Sequence, residues 1–393
     1  MNGLQRLQQQ LATREAAGLR RTLRACSSPC APLQEVEDSP QAMLAFASND
    51  YLGLANHPQL RQALQEGVTQ HGVGAGASHL INGHHQVHAQ LEQALAATQA
   101  AYIPDVRALY LGSGYLANIG LLPALAALDE SAIFSADLNH ASIIDGCRLA
   151  RATLQVWPHQ DLATLAAQLA ASTARQKIVV SDAVFSMDGA IAPVAELLAL
   201  CEEHDAWLVL DDAHGFGVLG ADGHGVLQHA AVHSARLVYM GTLGKAAGVG
   251  GAFIAAHALL IEWLLQTQRS YIFTTASAPA LAHALLCSLA LIQSAEGAAR
   301  RAHLQTLRAQ WQGWQLRHPG WRKLASPSAI QPLIVGDNQA ALQLAQQLWQ
   351  RGLWVPAIRP PTVPPGTARL RISLSAAHSH AQLQTLIDTL EQL

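Results

Sequence analysis

Charged and aromatic residues are both scarce in this chain of 393 residues. Charged residues make up 13% of it and aromatic residues 5%, while 50% of its residues are hydrophobic. This composition excludes a largely disordered chain and supplies apolar surface for a sizeable core. The formal net charge of −3 gives no basic footprint for nucleic acid. No apolar run reaches the roughly eighteen residues of a membrane helix, so we expect neither nucleic acid nor a membrane as a partner.

Cysteines number only five and are spread along the chain. An odd, scattered set is typical of reduced cytoplasmic proteins and not of a disulfide framework. Cys26 and Cys30 have no matching second pair of ligands, so no metal or redox site is predicted there. Because the N-terminus also lacks the apolar core of a secretory signal, we expect a cytoplasmic protein.

Acidic residues are nearly absent from the first 25 residues, which carry Glu15 against five arginines and leucines at helical spacing. The pattern resembles a mitochondrial transit peptide. It also describes an amphipathic helix whose arginines, Arg20 among them, face solvent or a ligand. Because the stretch has no serine before Ser27 and continues directly into the rest of the chain, we favour the helix.

Short apolar runs alternate with helical patterns from about residue 100 onward. Strands that alternate with helices predict an α/β fold whose mostly parallel sheet is covered by helices. The predicted strands cover residues 108–111, 132–134, 178–181, 208–211, 237–240 and 251–255.

The pattern changes near residue 300, beyond which strands at 330–335 and 369–374 stand between helical patterns. This indicates a smaller α+β domain at the C-terminus. We therefore divide the chain into an N-terminal helix and arm (1–45), a large α/β domain (46–300) and a C-terminal α+β domain (301–393).

Lys245 lies among glycines and small residues, directly after the apolar run 237–240. Its amine would sit at the carboxyl end of a strand, where α/β sheets place ligands. Asp211 ends another predicted strand, and His214 follows it. A lysine that can form a Schiff base and a carboxylate for a pyridinium nitrogen are the minimal protein groups for pyridoxal phosphate chemistry. The two segments therefore predict pyridoxal 5′-phosphate as the cofactor.

A small-residue turn at 112–114 connects a predicted strand to a helix over 116–128. Backbone N–H groups at such a turn can approach a phosphate, which the helix dipole favours. The turn does not fit a dinucleotide fingerprint, and the segment around Lys245 does not fit a P-loop. Ser186 and Thr242 lie after other strands and can offer hydroxyl groups to the same edge.

Histidines form a cluster at His84, His85 and His88. His84 and His88 are one helical turn apart, but no glutamate stands beside the first histidine, so we predict no metal site. His140, which follows a predicted strand, can stack on an aromatic ring or move protons.

Together these segments resemble the α-oxoamine synthases, pyridoxal-phosphate enzymes that condense an amino acid with an acyl thioester. The resemblance extends from residue 48 to residue 378. It implies the aspartate aminotransferase-like fold, type I of the pyridoxal-phosphate enzymes, and a homodimer with active sites across the subunit interface. The motifs that carry it lie at residues 112–118, 139–142, 184–189, 211–215 and 242–245.

The resemblance also implies roles for single residues. Lys245 would hold the cofactor as a Schiff base, Asp211 would bind its pyridine nitrogen and His214 its phenolic oxygen. His140 would stack on the ring, and Asp212 is the alternative partner of the pyridine nitrogen. The cofactor site would be completed by Gly114, Tyr115, Ser186, Thr242 and, from the neighbouring subunit, Thr275. The amino-acid carboxylate would be received by Asn49 and Arg371.

Within that family, segments 328–332 and 358–364 favour a member that condenses L-alanine with a pimeloyl thioester in biotin biosynthesis. Coenzyme A or acyl carrier protein would carry the acyl chain. A buried terminal carboxylate needs a guanidinium or several donors, and Arg20, Arg359 and Thr362 are the candidates. The alternatives are aminolevulinate synthase, glycine C-acetyltransferase and a non-catalytic protein that binds pyridoxal phosphate.

Overall fold

The computed structural model describes residues 2–37 and 39–393. Its helices are α1 (Gly3–Ala16), α2 (Pro58–His71), α3 (Gln86–Gln99), α4 (Gly114–Ala126), α5 (Ala141–Leu149), α6 (Leu162–Ala171), α7 (Val194–Glu203), α8 (Val226–Ala230), α9 (Ala258–Thr267), α10 (Arg269–Ile272), α11 (Pro279–Gln293), α12 (Ala295–Gly313), α13 (Asn338–Gln350) and α14 (His380–Glu391), with a π-helical turn at His79–Gly83. Its strands are β1 (Leu33–Gln34), β2 (Met43–Ala45), β3 (Val106–Leu111), β4 (Ser131–Ala136), β5 (Thr153–Trp157), β6 (Gln176–Asp182), β7 (Ala206–Asp211), β8 (Leu237–Thr242), β9 (Ala252–His257), β10 (Arg322–Lys323), β11 (Ile330–Gly336), β12 (Leu353–Trp354), β13 (Ala357–Ile358) and β14 (Ala368–Ser373).

The larger of two compact units comprises Leu52–Ser186 and Ala190–Ala302. Its seven-stranded sheet has the order β3-β9-β8-β7-β6-β4-β5. The five strands β8, β7, β6, β4 and β5, neighbours in that order, are parallel to one another. Strand β9 is antiparallel to both of its neighbours, β3 and β8. All six predicted strands are present, and the predicted mostly parallel sheet is confirmed.

Two features of this sheet were not predicted. Strand β5 was missed because it is an edge strand whose residues are mostly exposed, so it lacks a buried apolar run. Strand β9 was predicted without its direction. The segment between β8 and β9 is shorter than the dozen or so residues that a parallel crossover needs, and the chain therefore returns antiparallel.

The smaller unit comprises Met1–Tyr51, Met187–Gly189 and His303–Leu393. It contains a four-stranded antiparallel sheet of order β10-β11-β14-β13 and a three-stranded sheet of order β1-β2-β12. The predicted C-terminal α+β architecture is therefore confirmed. In the second sheet, Leu44 of the N-terminal arm pairs with Leu353. The boundaries of the three-part division stay a prediction.

A helix that spans a membrane must be both long and apolar. In the described parts of the chain no single helix meets both requirements, and α11 and α12 meet them only when taken together as a bent pair.

Candidate active site

A cavity of 190 Å³ lies in the larger unit, at the carboxyl ends of the parallel strands. Asp182 ends β6, Asp211 ends β7 and Thr242 ends β8. Parallel strands end at one edge of a sheet, so these polar side chains meet there. The cavity is lined by Gly114, Tyr115, His140, Ser142, Asp182, Asp211, Ala213, His214, Met240, Thr242 and Lys245.

Lys245 lies in the loop that follows β8. Its Nζ is 3.0 Å from Nε2 of His214, close enough for a hydrogen bond. The loop is held by hydrogen bonds from the N–H of Leu243 to Gly251 O (2.8 Å) and from the N–H of Gly248 to Lys245 O (2.9 Å). The amine and the imidazole that the sequence analysis singled out therefore lie side by side in one cavity.

The Asp211 carboxylate is buried and accepts two hydrogen bonds. The backbone N–H of Ala213 donates to Oδ1 (3.0 Å), and Nδ2 of Asn118 donates to Oδ2 (2.7 Å). Asn118 also donates to Oγ of Ser142 (2.9 Å). The carboxylate is thus held in one orientation by a neighbour that the sequence analysis had quoted without a role. A signal was available, because Asn118 lies four residues after Gly114 and therefore on the same face of α4.

Asp212 differs sharply from its neighbour. It is fully buried and does not line the cavity. Its Oδ2 accepts hydrogen bonds from the Tyr239 hydroxyl (2.8 Å) and from the N–H of Val226 (2.6 Å). Burial raises the pKa of Asp212 to about 7. Of the two adjacent aspartates, only Asp211 faces the cavity.

His140 caps the N-terminus of α5. Its N–H donates to Oδ2 of Asp182 (3.0 Å), and its Nδ1 lies 2.7 Å from Oγ of Ser142. Burial lowers the pKa of His140; nearby Asp211 opposes this shift, and the positive charge of Lys245 adds to it. The imidazole is therefore neutral at neutral pH.

The N-terminus of α4 forms another wall of the cavity. A Cβ atom at Gly114 would lie 3.0 Å from Oγ1 of Thr242, so glycine permits the close approach of helix and hydroxyl. The free N–H groups of a helix N-terminus together with a hydroxyl make a cradle suited to an anion. The partly exposed Tyr115 donates to Oδ2 of Asp145 (2.5 Å).

Two further predicted cofactor residues lie elsewhere. Ser186 is in the loop after β6 and is not among the residues that line the cavity. Thr275 is exposed and forms an isolated antiparallel bridge with Ser78. The cavity of this chain therefore contains every predicted cofactor residue except these two.

The smaller unit brings Arg371 and Asn49 together, although 322 positions separate them. The Arg371 guanidinium is buried and donates to Oδ1 of Asn49 (3.0 Å), to Oγ of Ser373 (2.9 Å) and to the Tyr51 hydroxyl (3.3 Å). Tyr51 was not predicted to take part. It lies two residues after Asn49 in the sequence, and that proximity was the available signal.

A second cavity of the smaller unit, of 100 Å³, is lined by arginines and by the segment from Ala357 to Thr362. Arg359 lies in it and donates a hydrogen bond to the carbonyl of Gly18. Arg20 is not part of its lining, because its guanidinium pairs with Glu15 at the surface (2.8 Å). The arginines that join Arg359 there are Arg14 and Arg21.

Comparison with known proteins agrees with this geometry. The family model "Aminotransferase class I and II" matches residues 41–390. The chain is 59% identical over 387 residues to the 8-amino-7-oxononanoate synthase of Janthinobacterium sp. (strain Marseille), a match that covers 98% of this chain and 97% of that protein.

Solved structures similar to this chain include two serine palmitoyltransferases. The enzyme of Sphingomonas wittichii has a TM-score of 0.90 and 30% identity, with 100% of this chain and 98% of that chain covered. A variant from S. paucimobilis with bound pyridoxal phosphate and myriocin has a TM-score of 0.89 and 25% identity, with the same coverage.

Proposed function

We propose that this chain catalyses the 8-amino-7-oxononanoate synthase reaction. The chain belongs to the class I and II aminotransferase family and, within that family, to the α-oxoamine synthases. In this reaction L-alanine is joined to a pimeloyl thioester. A bond forms between the alanine α-carbon and the acyl carbonyl carbon, and a thiol and carbon dioxide leave. The observation that carries the proposal is that Lys245, His214 and Asp211 line one cavity at the carboxyl edge of the sheet.

The residues of this cavity fit pyridoxal 5′-phosphate. The Lys245 amine can hold an aldehyde, and the carboxylate of Asp211 can hold a protonated ring nitrogen. The N-terminus of α4, with Thr242 Oγ1 close to Gly114, offers donors to a phosphate group. These three groups thus match the aldehyde, the ring nitrogen and the phosphate of the cofactor.

Pyridoxal phosphate, when bound, supplies an electron sink that stabilises negative charge on the substrate α-carbon. Asp211 is held by Asn118 and Ala213, so its carboxylate can keep a proton on the ring nitrogen. Lys245 Nζ is the base that we assign to the α-proton, and His214 at 3.0 Å orients it. His140, neutral because of its burial, is the residue that we assign to stacking on the ring.

The amino-acid carboxylate is assigned to the Arg371 and Asn49 pair. A buried guanidinium is a strong and directional partner for a carboxylate. Arg371 is already oriented by Asn49 and by the Tyr51 hydroxyl. A substrate carboxylate would then meet a guanidinium whose side-chain freedom is already restricted.

The terminal carboxylate of the pimeloyl chain is assigned to the cavity that Arg359 and Thr362 line. Burying a carboxylate is costly without cationic partners, and this cavity also contains Arg14 and Arg21. Burial and the charge of Arg21 both lower the pKa of Arg359, and an anion between the two guanidinium groups would relieve their repulsion. Arg20, which lies in the chain between the lining residues Leu19 and Arg21, is assigned a weaker contribution to this binding.

We further propose a homodimer in the cytoplasm, with acyl carrier protein or coenzyme A as the acyl carrier. Thr275 is exposed, so it is accessible to the phosphate of a neighbouring subunit's cofactor, and Ser186 is assigned to the cofactor of its own subunit. Sedimentation of the active enzyme tests the dimer, and a stable, active monomer would exclude it.

The test of the activity is thiol release from acyl thioesters of several lengths, with alanine, glycine and serine as amino-acid substrates. We expect alanine with the pimeloyl thioester to give the highest kcat/KM. Preference for glycine with succinyl-CoA would indicate an aminolevulinate synthase, and preference for glycine with acetyl-CoA a glycine C-acetyltransferase. Binding of the cofactor without thiol release would indicate a non-catalytic protein.

A further inference from the structure

Three histidines come together at the start of α3, outside the cavity that contains Lys245. His79, His84 and His88 each offer a ring nitrogen, and these three atoms lie within 4.8 Å of one another. The cluster that is visible in the sequence consists of His84, His85 and His88. His79 joins the cluster because the π-helical turn His79–Gly83 folds it back toward α3.

We propose that His79, His84 and His88 form a binding site for a divalent transition-metal ion, with Zn²⁺ as the best fit. Imidazole is a preferred ligand of zinc, and three protein ligands plus a water molecule make a common tetrahedral set.

The orientation of the first two rings supports the site. Nδ1 of His79 and Nδ1 of His84 lie 2.9 Å apart, so the two nitrogens face each other and a hydrogen bond joins them through one proton. A metal ion would replace that proton. Zinc–nitrogen bonds of about 2.0–2.1 Å in a tetrahedron place ligand nitrogens about 3.3–3.4 Å apart, so these two rings need only a small opening.

The nitrogen on the far side of His88 has an acceptor of the kind that metal-bound histidines use, and a carboxylate lies near the far nitrogen of His84. Nε2 of His88 is 3.0 Å from the carbonyl of Ser277, and Nε2 of His84 is 3.7 Å from Oε2 of Glu92. The carbonyl of Ser277 is at hydrogen-bonding distance, so it fixes the tautomer of His88 and leaves the other nitrogen free to ligate. The Glu92 carboxylate is within ion-pair distance of His84 but too far for a hydrogen bond. Nδ1 of His88 now accepts the N–H of His85 (3.1 Å). That N–H lies at a helix N-terminus, where water can replace the lost acceptor.

The site combines rigid and movable parts. His88 is fully buried and His79 nearly so, and the ring of His79 stacks on Tyr271 with 4.7 Å between centroids. The side chain of His84 is 32% exposed. It can therefore rotate to close the wider gaps of the cluster, and it leaves a path for the ion and a solvent ligand.

The experiment uses untagged, chelator-treated enzyme with its cofactor bound, titrated with ZnCl₂ at neutral pH by calorimetry, with bound zinc counted by elemental analysis. We expect one zinc ion per chain at this site. His84→Gln should weaken binding more than about 100-fold, because a ligand is lost at a partly exposed position where folding is not at risk. Glu92→Gln should weaken it about 10- to 100-fold.

His233→Gln, which replaces an exposed histidine outside the cluster, is the matched control and should bind zinc like the parent enzyme. His79→Gln should behave like His84→Gln. The proposal is overturned if the parent enzyme binds no stoichiometric zinc, or if His79→Gln and His84→Gln bind it as tightly as the control. Zinc binding is read directly, so the result does not depend on the proposed catalytic activity.

Discussion

The lysine cavity and the arginine groups are assembled in different ways. Around Lys245 the polar side chains end or follow strands of one parallel sheet, and that topology alone brings them to one edge. In the smaller unit, Arg359 donates a hydrogen bond to Gly18, which is 341 positions away in the sequence. Arg371 donates one to Asn49, which is 322 positions away. A site made by one sheet can be recognised from strand order, whereas a site made by distant segments cannot, and here the arginines were identified from the family resemblance and from their charge.

The two regions also differ in the kinetic effect that we expect from mutation. Groups of the lysine cavity act on the proton and charge changes of the reaction, so their loss should appear in kcat. The arginines hold parts of the substrate that do not react, so their loss should appear mainly in KM. Mutation in each region, followed by separate measurement of kcat and KM, tests this difference.

Lys245→Ala should lower kcat by at least about 10³-fold, because the base and the cofactor attachment are lost together. Thiol release in steady state measures this. Borohydride treatment of the parent enzyme should fix the cofactor on the peptide that contains Lys245. The chain has two other lysines, Lys177 and Lys323. Labelling of either one would remove Lys245 from its assigned role.

The control for this prediction is Lys177→Ala. Nζ of Lys177 donates to the carbonyl of His204 (3.2 Å) and is not part of the cavity lining. This variant should retain parent kcat and cofactor content. A comparable loss of activity in both variants would point to damaged folding rather than to lost chemistry.

Asp211→Asn should lower kcat by about 10²-fold, because an amide cannot hold the proton of a pyridine nitrogen as a carboxylate does. Asp212→Asn should change kcat less than about 10-fold, because this side chain faces Tyr239 and not the cavity. Both variants are compared by steady-state kinetics with saturating alanine. The opposite ranking would transfer the pyridine role to Asp212.

Arg359→Ala should raise KM for the pimeloyl thioester about 10- to 100-fold, the size expected when a charged hydrogen bond to a carboxylate is lost. The KM for alanine and kcat should change little. Arg20→Ala should raise the same KM by a smaller factor, because Glu15 holds its guanidinium at the surface. A large fall in kcat with unchanged KM would contradict the contrast between the two regions.

Asp212 also makes stability depend on pH. Its pKa is raised to about 7 in the folded protein, so the folded state binds a proton that the unfolded state has released above about pH 4. The stability that this proton contributes is present below pH 4 and is lost as pH rises to 7. The melting temperature of Asp212→Asn relative to the parent should therefore increase from pH 5 to pH 8. A pH-independent difference would show that Asp212 does not titrate in this range.

Parts of both regions escaped prediction for identifiable reasons. Asn118 and Ser142 form the hydrogen-bond chain between Asp211 and His140. The spacing of Asn118 from Gly114 indicates which face of α4 it lies on, but it does not indicate that its partner there is a carboxylate. Strand β5 lacks a buried apolar run because it is at the edge of the sheet. The prediction that Arg20 lies on the N-terminal helix is wrong, because α1 ends at Ala16 and both Arg20 and Arg21 follow it. Helical periodicity therefore could not indicate which of these arginines would line a cavity.

Local patterns were enough to establish six of the seven strands of the large sheet, its mostly parallel arrangement and the positions of Lys245, Asp211 and His140 at or after strand ends. They were enough because hydrophobic periodicity and strand ends are properties of neighbouring residues. Only the tertiary structure decided the direction of β9, the choice between Asp211 and Asp212 as the cavity residue and the addition of His79 to the histidine cluster. It also supplied the direct hydrogen bond between Arg371 and Asn49, two residues that the family resemblance had already assigned to one carboxylate. Each depends on which distant side chains come within hydrogen-bonding distance, and that is set by packing and not by spacing along the chain.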